Sequence, residues 1–188
     1  MRRGRLTVIS GPMFSNKSGE LLRLATVHRI AGRQVALFKH ALDDRYEGAA
    51  RISTHGGQSM DAEPVSTSAQ IRLLAAGQEV VAVDEAQFFD LGLAEVAAEL
   101  VDEGLTVIVA GLDRDFRGEA FGPMPGLMAH ADEVMKLRAV CMRCRSLEGT
   151  MTQRLIDGRP ASRSSPTILI GAAEAYEARC RDCHEVAD

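Results

Sequence analysis

The sequence predicts an α/β protein: a parallel β-sheet with helices on both faces, followed by a small C-terminal lobe that carries the cysteines. Three observations lead there. Short, wholly apolar runs alternate with amphipathic segments over the first two-thirds of the chain, and such runs suit parallel strands buried on both faces. A turn ending in Lys-Ser separates the first apolar run from the first amphipathic segment. All four cysteines of the 188 residues lie beyond Val140.

Taken in order, residues 6–10 (Leu-Thr-Val-Ile-Ser) read as the first strand. Residues 19–31 carry Leu21, Leu22, Leu24, Ala25, Val27 and Ile30, an amphipathic helix ended by Gly32. Residues 35–38 form a short apolar strand, residues 70–76 a short helix closed by Gly77, and residues 80–83 a buried strand ending at Asp84-Glu85. A helix over residues 91–101 leads through Gly104 into a strand over 105–110, and residues 134–139 add a further strand. Residues 41–65 and 113–126 break this pattern with charged and glycine-rich sequence, and loops of such length in a compact domain are usually functional or disordered. The composition shifts after Val140, so residues 1–140 are read as the α/β domain and 141–188 as a second, small one. There is no internal repeat.

A hydrophobic content of 46% with 26% charged residues is that of a soluble globular protein. The formal net charge of −4 argues against a nucleic-acid partner held by a basic face. The arginines near the start precede a core strand, with no apolar stretch long enough for a signal peptide or a membrane span. The expectation is therefore a cytoplasmic protein without membrane partners.

The turn Gly11-Pro12-Met13-Phe14-Ser15-Asn16-Lys17-Ser18 makes the sheet P-loop NTPase-like. In G-x-x-x-x-G-K-[ST], successive backbone N–H groups point at phosphate oxygens, as in ATP. The lysine meets the β and γ phosphates, Ser18 can join a Mg²⁺ shell, and the helix N-terminus favours negative charge. Asn16 stands where the second glycine belongs, and Asn tolerates a left-handed backbone. Asp84-Glu85 ends a buried strand at the carboxyl edge of the sheet, where such folds bind ligands. There an aspartate commonly holds Mg²⁺, and a glutamate can take a proton from an attacking water or hydroxyl. Taken alone, Asp-Glu fits an ATP hydrolase as well as a kinase.

Cys141-x-x-Cys144 and Cys180-x-x-Cys183 match two knuckles of a tetrahedral structural Zn²⁺ site. A disulfide pair is disfavoured in a reducing compartment. His184 competes with Cys183 as the fourth ligand, and the two-residue spacing favours Cys183.

Gly-Pro-Met-Phe-Ser-Asn-Lys-Ser (11–18), Asp-Asp-Arg-Tyr (43–46), Asp-Glu-Ala-Gln-Phe-Phe (84–89) and Gly-Leu-Asp-Arg-Asp-Phe-Arg-Gly-Glu-Ala-Phe-Gly (111–122) stand in one order. With Cys-Met-Arg-Cys (141–144) and Cys-Arg-Asp-Cys-His (180–184), the series resembles the cytosolic, zinc-containing class of thymidine kinases over nearly the whole length. The resemblance implies ATP-dependent, Mg²⁺-dependent phosphorylation of the 5′-hydroxyl of thymidine or deoxyuridine. It implies Glu85 as general base, Lys17 on the transferring phosphoryl, and Ser18 with Asp84 on Mg²⁺. Asp43 and Arg45 match the family's acidic and basic active-site pair. Met13, Phe88, Leu112 and Phe116 are expected to line the nucleoside pocket. Thr152 and the segment of Thr167, Leu169, Ile170, Gly171 and Tyr176 correspond to a loop that reads the base largely with main-chain groups. The resemblance also implies a homotetramer with feedback inhibition by thymidine triphosphate. Two residues depart from the family pattern, Asn16 and Ala172, both at glycine positions. Asn16 is expected to narrow the phosphate space and impair ATP use. The rival readings are a zinc-ribbon P-loop ATPase associated with nucleic acid and a non-catalytic nucleotide-binding protein.

Overall fold

The computed structural model describes residues 3–42, 51–53, 59–168 and 175–188. Its elements run β1 (Arg5–Ser10), α1 (Lys17–Ile30), β2 (Val35–His40), β3 (Arg51–Ser53), β4 (Ser59–Asp61), β5 (Glu63–Val65) and α2 (Ser68–Leu74). They continue β6 (Val80–Asp84), a 3₁₀ turn (Ala86–Phe88), α3 (Leu93–Asp102), β7 (Thr106–Gly111), α4 (Met124–His130) and β8 (Glu133–Lys136). The C-terminal strands are β9 (Met151–Ile156), β10 (Arg159–Pro160) and β11 (Ala175–Arg179).

Six strands form one sheet in the order β5-β2-β6-β7-β1-β8, and every pairing in it is parallel. Period-2 alternation divides the apolar side chains between two cores. Val81 and Val83 of β6, Val107 and Val109 of β7, and Leu6 and Val8 of β1 face the side that holds Ile71 of α2, Leu93 and Leu100 of α3, and Leu127 of α4. Val80, Ala82, Ile108, Ala110 and Ile9 face the side that holds Leu21, Leu22 and Ala25 of α1. The apolar runs thus cover both faces, and the α/β sheet expected from the sequence is present.

Three parts of the fold were not foreseen. The stretch 41–65 contains the antiparallel pair β3–β4 and β5, an edge strand of the main sheet with Pro64 inside it. An edge position lets that proline sit in a strand without breaking the sheet interior. The stretch 113–126 already holds the first turn of α4, where Pro125 needs no helical N–H partner. The C-terminal residues build an antiparallel sheet in the order β10-β9-β11. Its middle strand buries Thr152, Gln153 and Arg154, so it has no apolar alternation to reveal it. Gln153 donates to the Glu185 carbonyl at 2.7 Å and accepts from the Glu185 N–H at 2.8 Å, and Arg154 Nη1 donates to the Pro166 carbonyl at 2.5 Å.

Candidate active site

At the end of β1 the chain turns at Gly11, whose φ is 150°. A Cβ there would stand 2.7 Å from the Leu137 carbonyl oxygen and 2.8 Å from Ser15 Oγ, so the turn admits only glycine. The loop then curls around the Pro12 carbonyl, which accepts from Ser15 Oγ and from Lys17 Nζ, each at 2.8 Å. Phe14 and Asn16 both take left-handed backbones, with φ of 65° and 63°. Asn16 thus adopts the left-handed backbone that its residue type tolerates. Its side chain makes no capping bond to α1, so no capping side chain competes with an anion at that helix start.

The Asn16 carboxamide lies instead over the first turn of α1. Its Oδ1, Cγ and Nδ2 would be 2.2, 2.7 and 2.7 Å from a Cβ on Gly19. Asn16 and Gly19 therefore share one volume, and a side chain at 19 displaces the carboxamide. Gly→Ala inside a helix ordinarily stabilises by about 1 kcal/mol. Gly19→Ala is expected to yield that gain in an Asn16→Gly background and a smaller one in the natural sequence, as read by a double-mutant cycle of urea unfolding.

Asp84 ends β6 and is 5% exposed. Burial, then the adjacent Glu85 carboxylate, raise it from an ordinary 3.8 to about 7. Hydrogen bonds from the Ser18 hydroxyl and the Glu85 N–H and the charge of Lys17 act in the opposite direction. A divalent cation supplies the positive charge that such a buried carboxylate calls for, and Ser18 and Asp84 together fit a Mg²⁺ shell. Because the folded protein holds a proton on Asp84 that the unfolded chain releases near pH 4, stability falls as pH rises from about 4 to about 7. Above pH 7 the deficit is complete. In Mg²⁺-free buffer, melting temperatures between pH 5 and 8 are expected to fall more steeply for the natural protein than for Asp84→Asn.

Glu85 follows with φ 52°, ψ 41°, a left-handed backbone in a non-glycine residue. Such strain persists where the surroundings fix it: here Asp84 Oδ1 accepts the Glu85 N–H at 3.0 Å, the Glu85 carbonyl accepts the Phe88 N–H at 3.1 Å, and Gln87 holds the carboxylate. Gln87 is 2% exposed, donates from Nε2 to Glu85 Oε2 at 2.5 Å, and accepts from the Leu112 N–H at 2.9 Å. The Glu85 carboxylate is thereby tied to the segment that leaves β7. Gln87 was not singled out from the sequence, although its position two residues beyond Glu85 was visible there.

The expected nucleoside-pocket residues divide into two groups. Met13 donates its N–H to Thr152 Oγ1 at 3.1 Å, linking the phosphate loop to β9. Leu112 joins Glu85 through Gln87, and Phe88 packs edge-on against Phe121 with centroids 5.9 Å apart. Phe116 is 4% exposed, with the guanidinium carbons of Arg117 and Arg154 at 4.4 and 5.1 Å from its ring centroid. Thr167 Oγ1 accepts from Arg117 at 2.8 Å, and Tyr176 pairs with Arg154 across β11 and β9. Asp43, Arg45, Leu169, Ile170, Gly171 and Ala172 lie outside the described residues. The buried pair Asp115–Arg117 and the ion pair Lys136–Asp113 (2.7 Å) were missed, since isolated charges in an irregular stretch carry no periodic signal.

The four cysteine sulfurs lie within 4.8 Å of one another, and Cys144 Sγ is 3.8 Å from Cys180 Sγ. A zinc tetrahedron with bonds of about 2.3 Å has sulfur–sulfur edges of about 3.8 Å, so the group fits Zn²⁺. His184 is not part of it: its Nε2 lies 2.8 Å from the Phe116 carbonyl oxygen. Burial pushes the Cys141 thiol up, but N–H groups of Cys144, Cys180 and Arg143 outweigh it and bring it down to about 6. A hydrogen bond with Cys180, then burial, push Cys183 up to about 12. Zinc would hold all four as thiolates. Elemental analysis is expected to return one zinc per chain, and Cys141→Ser to lower both zinc content and melting temperature. Full zinc retention in Cys141→Ser would count against the four-sulfur site.

A phosphate loop and an adjacent Asp-Glu pair, its aspartate buried, on the carboxyl edge of one parallel sheet define a P-loop phosphoryl-transfer protein. A family model described as thymidine kinase matches residues 4–184. The chain belongs to the thymidine kinase family. It is a deoxynucleoside kinase acting on thymidine, and the zinc-ribbon ATPase reading is not favoured.

Proposed function

We propose that the chain transfers the γ-phosphate of ATP to the 5′-hydroxyl of thymidine, or of deoxyuridine, giving the nucleoside monophosphate and ADP. The observation that carries this reading is the Glu85 carboxylate, clamped by Gln87 beside Asp84 at the phosphate-loop edge of the sheet. The 5′-oxygen forms a bond to the γ-phosphorus, its proton passes to Glu85, and the bond from that phosphorus to the β,γ-bridging oxygen breaks with its electron pair on ADP. Lys17 exchanges the Pro12 carbonyl for phosphate oxygens, and the N–H groups of residues 11–18 follow the triphosphate. Ser18 and Asp84 would hold Mg²⁺, which offsets phosphate charge when bound. Arg45 offsets charge on the moving phosphoryl, and Asp43 is the acidic member of the same active-site pair that the family resemblance implies.

Met13, Phe88, Leu112, Phe116, Thr152 and the segment from Thr167 to Tyr176 enclose the nucleoside. Main-chain groups that meet a carbonyl and an N3–H select thymine or uracil over cytosine, whose N3 is an acceptor. Residues 141–188 act as a separate small zinc domain. The protein works in the cytoplasm as a homotetramer, takes thymidine triphosphate as a feedback inhibitor, and binds neither nucleic acid nor membrane. Among the described residues, no helix is long and apolar enough to cross a membrane.

The test is a product assay with ATP, Mg²⁺ and a nucleoside panel. Thymidine and deoxyuridine are expected to be phosphorylated and deoxycytidine not, with ATP consumed in proportion. Glu85→Gln is expected to lower kcat by about 10²-fold or more while both Michaelis constants stay within about threefold. Undiminished kcat in that variant removes Glu85 from the role of base.

A further inference from the structure

The segment 162–167, Ser-Arg-Ser-Ser-Pro-Thr, leads from the three-stranded sheet toward the positions assigned to base recognition. It has no apolar side chain suited to anchor it in a core. Its acceptors are gathered by two guanidinium groups from different parts of the fold. Arg117, in the segment after β7, donates from Nε to the Arg163 carbonyl at 2.7 Å, from Nη2 to the Ser165 carbonyl, and from Nη1 to Thr167 Oγ1 at 2.8 Å. Arg154, in β9, donates from Nη1 to the intervening Pro166 carbonyl at 2.5 Å.

Arg117 is itself aimed. Its Nη1 lies 2.7 Å from Asp115 Oδ2, with side-chain exposures of 13% and 7% for the pair. The other Asp115 oxygen accepts the N–H groups of Arg117 at 2.8 Å and Glu119 at 3.0 Å. The carboxylate thus fixes both the backbone turn and the fork direction. A buried, hydrogen-bonded ion pair of this kind holds its geometry far better than an exposed one. Phe116 lies between, its ring under the Arg117 guanidinium at 4.4 Å, so the fork joins the aromatic wall of the pocket to the segment bearing Thr167.

We propose that Arg117, oriented by Asp115, is a positioning residue for nucleoside binding: it fixes residues 163–167 against Phe116. This inference rests on placing Phe116 and Thr167 at the nucleoside pocket. Arginine is required because three acceptors in different directions need a planar fork, whereas the lysine ammonium is a compact charge with three donors. Arg117 touches neither the phosphate loop nor Glu85 in any described contact, so its loss weakens nucleoside binding and leaves phosphoryl transfer at saturation intact.

The experiment uses the full zinc-loaded chain and the variants Arg117→Ala and Arg117→Lys, in two readouts. Steady-state kinetics are expected to show the Michaelis constant for thymidine raised about tenfold or more in Arg117→Ala. kcat should stay within about threefold and the Michaelis constant for ATP within about twofold, with only partial recovery in Arg117→Lys. Hydrogen exchange without nucleoside should show faster exchange at the amides of residues 163–165 and 167, with β9 unchanged as a control that the sheet remains folded. If Arg117→Ala does not fold, Arg117→Lys carries both readouts alone. An unchanged thymidine constant in an active variant overturns the proposal, as does unchanged exchange at 163–167. If the natural protein phosphorylates no pyrimidine nucleoside, the pocket assignment falls with it; the exchange result still decides whether Arg117 holds the segment.

Discussion

A sheet whose strands all run the same way must send every chain segment out at the same edge. Here β1, β6, β7 and β8 all end where the phosphate loop begins. The register aligns Ser10 with both Gly111 and Lys136, and Lys39 with Asp84. β1 and β6 are separated by β7 alone, so the strand ends that lead into the phosphate loop and the Asp84-Glu85 pair are two strand spacings, about 10 Å, apart, and Ser18 reaches across to hydrogen-bond Asp84. Neighbouring segments then brace one another across that edge. The segment after β8 closes on Gly11 through the Leu137 carbonyl, and the segment after β7 holds Gln87 and through it Glu85. The ion pair between Asp113 and Lys136 links the ends of β7 and β8 across β1. These contacts depend on strand order, which in turn depends on burying both faces of the sheet.

The C-terminal lobe meets this edge through polar contacts. Thr152 takes the Met13 N–H, His184 meets the Phe116 carbonyl, and Arg154 and Arg117 share the Phe116 ring. A strand with Thr, Gln and Arg buried at its centre offers little hydrophobic stabilisation, and four metal–sulfur bonds are a suitable substitute. Zinc bound there would help to order β9, the strand that receives the phosphate loop through Thr152, without touching the nucleotide end.

The parts of the fold that were legible in the sequence are those whose signal is local. Val80 to Val83 and Val107 to Ala110 are uniformly apolar, Gly32 and Gly77 end helices, and the C-x-x-C knuckles state their geometry in their spacing. What escaped is held by partners distant in sequence. β9 looks like loop sequence because Gln153 answers Glu185 and Arg154 answers Pro166. β5 is hidden by Pro64, tolerable only because the strand lies at an edge. Gln87 and Arg117 are ordinary polar residues until β7 and residues 163–167 are placed beside them. The left-handed backbone of Asn16 was readable from residue type, whereas its sharing of space with Gly19 needed coordinates.

The bond from Lys17 to the Pro12 carbonyl has a consequence for nucleotide affinity. The ammonium is already desolvated in part and hydrogen-bonded, so an arriving triphosphate trades one acceptor for another. Its share of binding is the difference between a charge-assisted bond to phosphate and a weaker one to an amide oxygen. That difference is smaller than the gross strength of either. In return the loop keeps a closed curvature between turnovers, and its ordering entropy is spent at folding, once, rather than at each encounter with nucleotide.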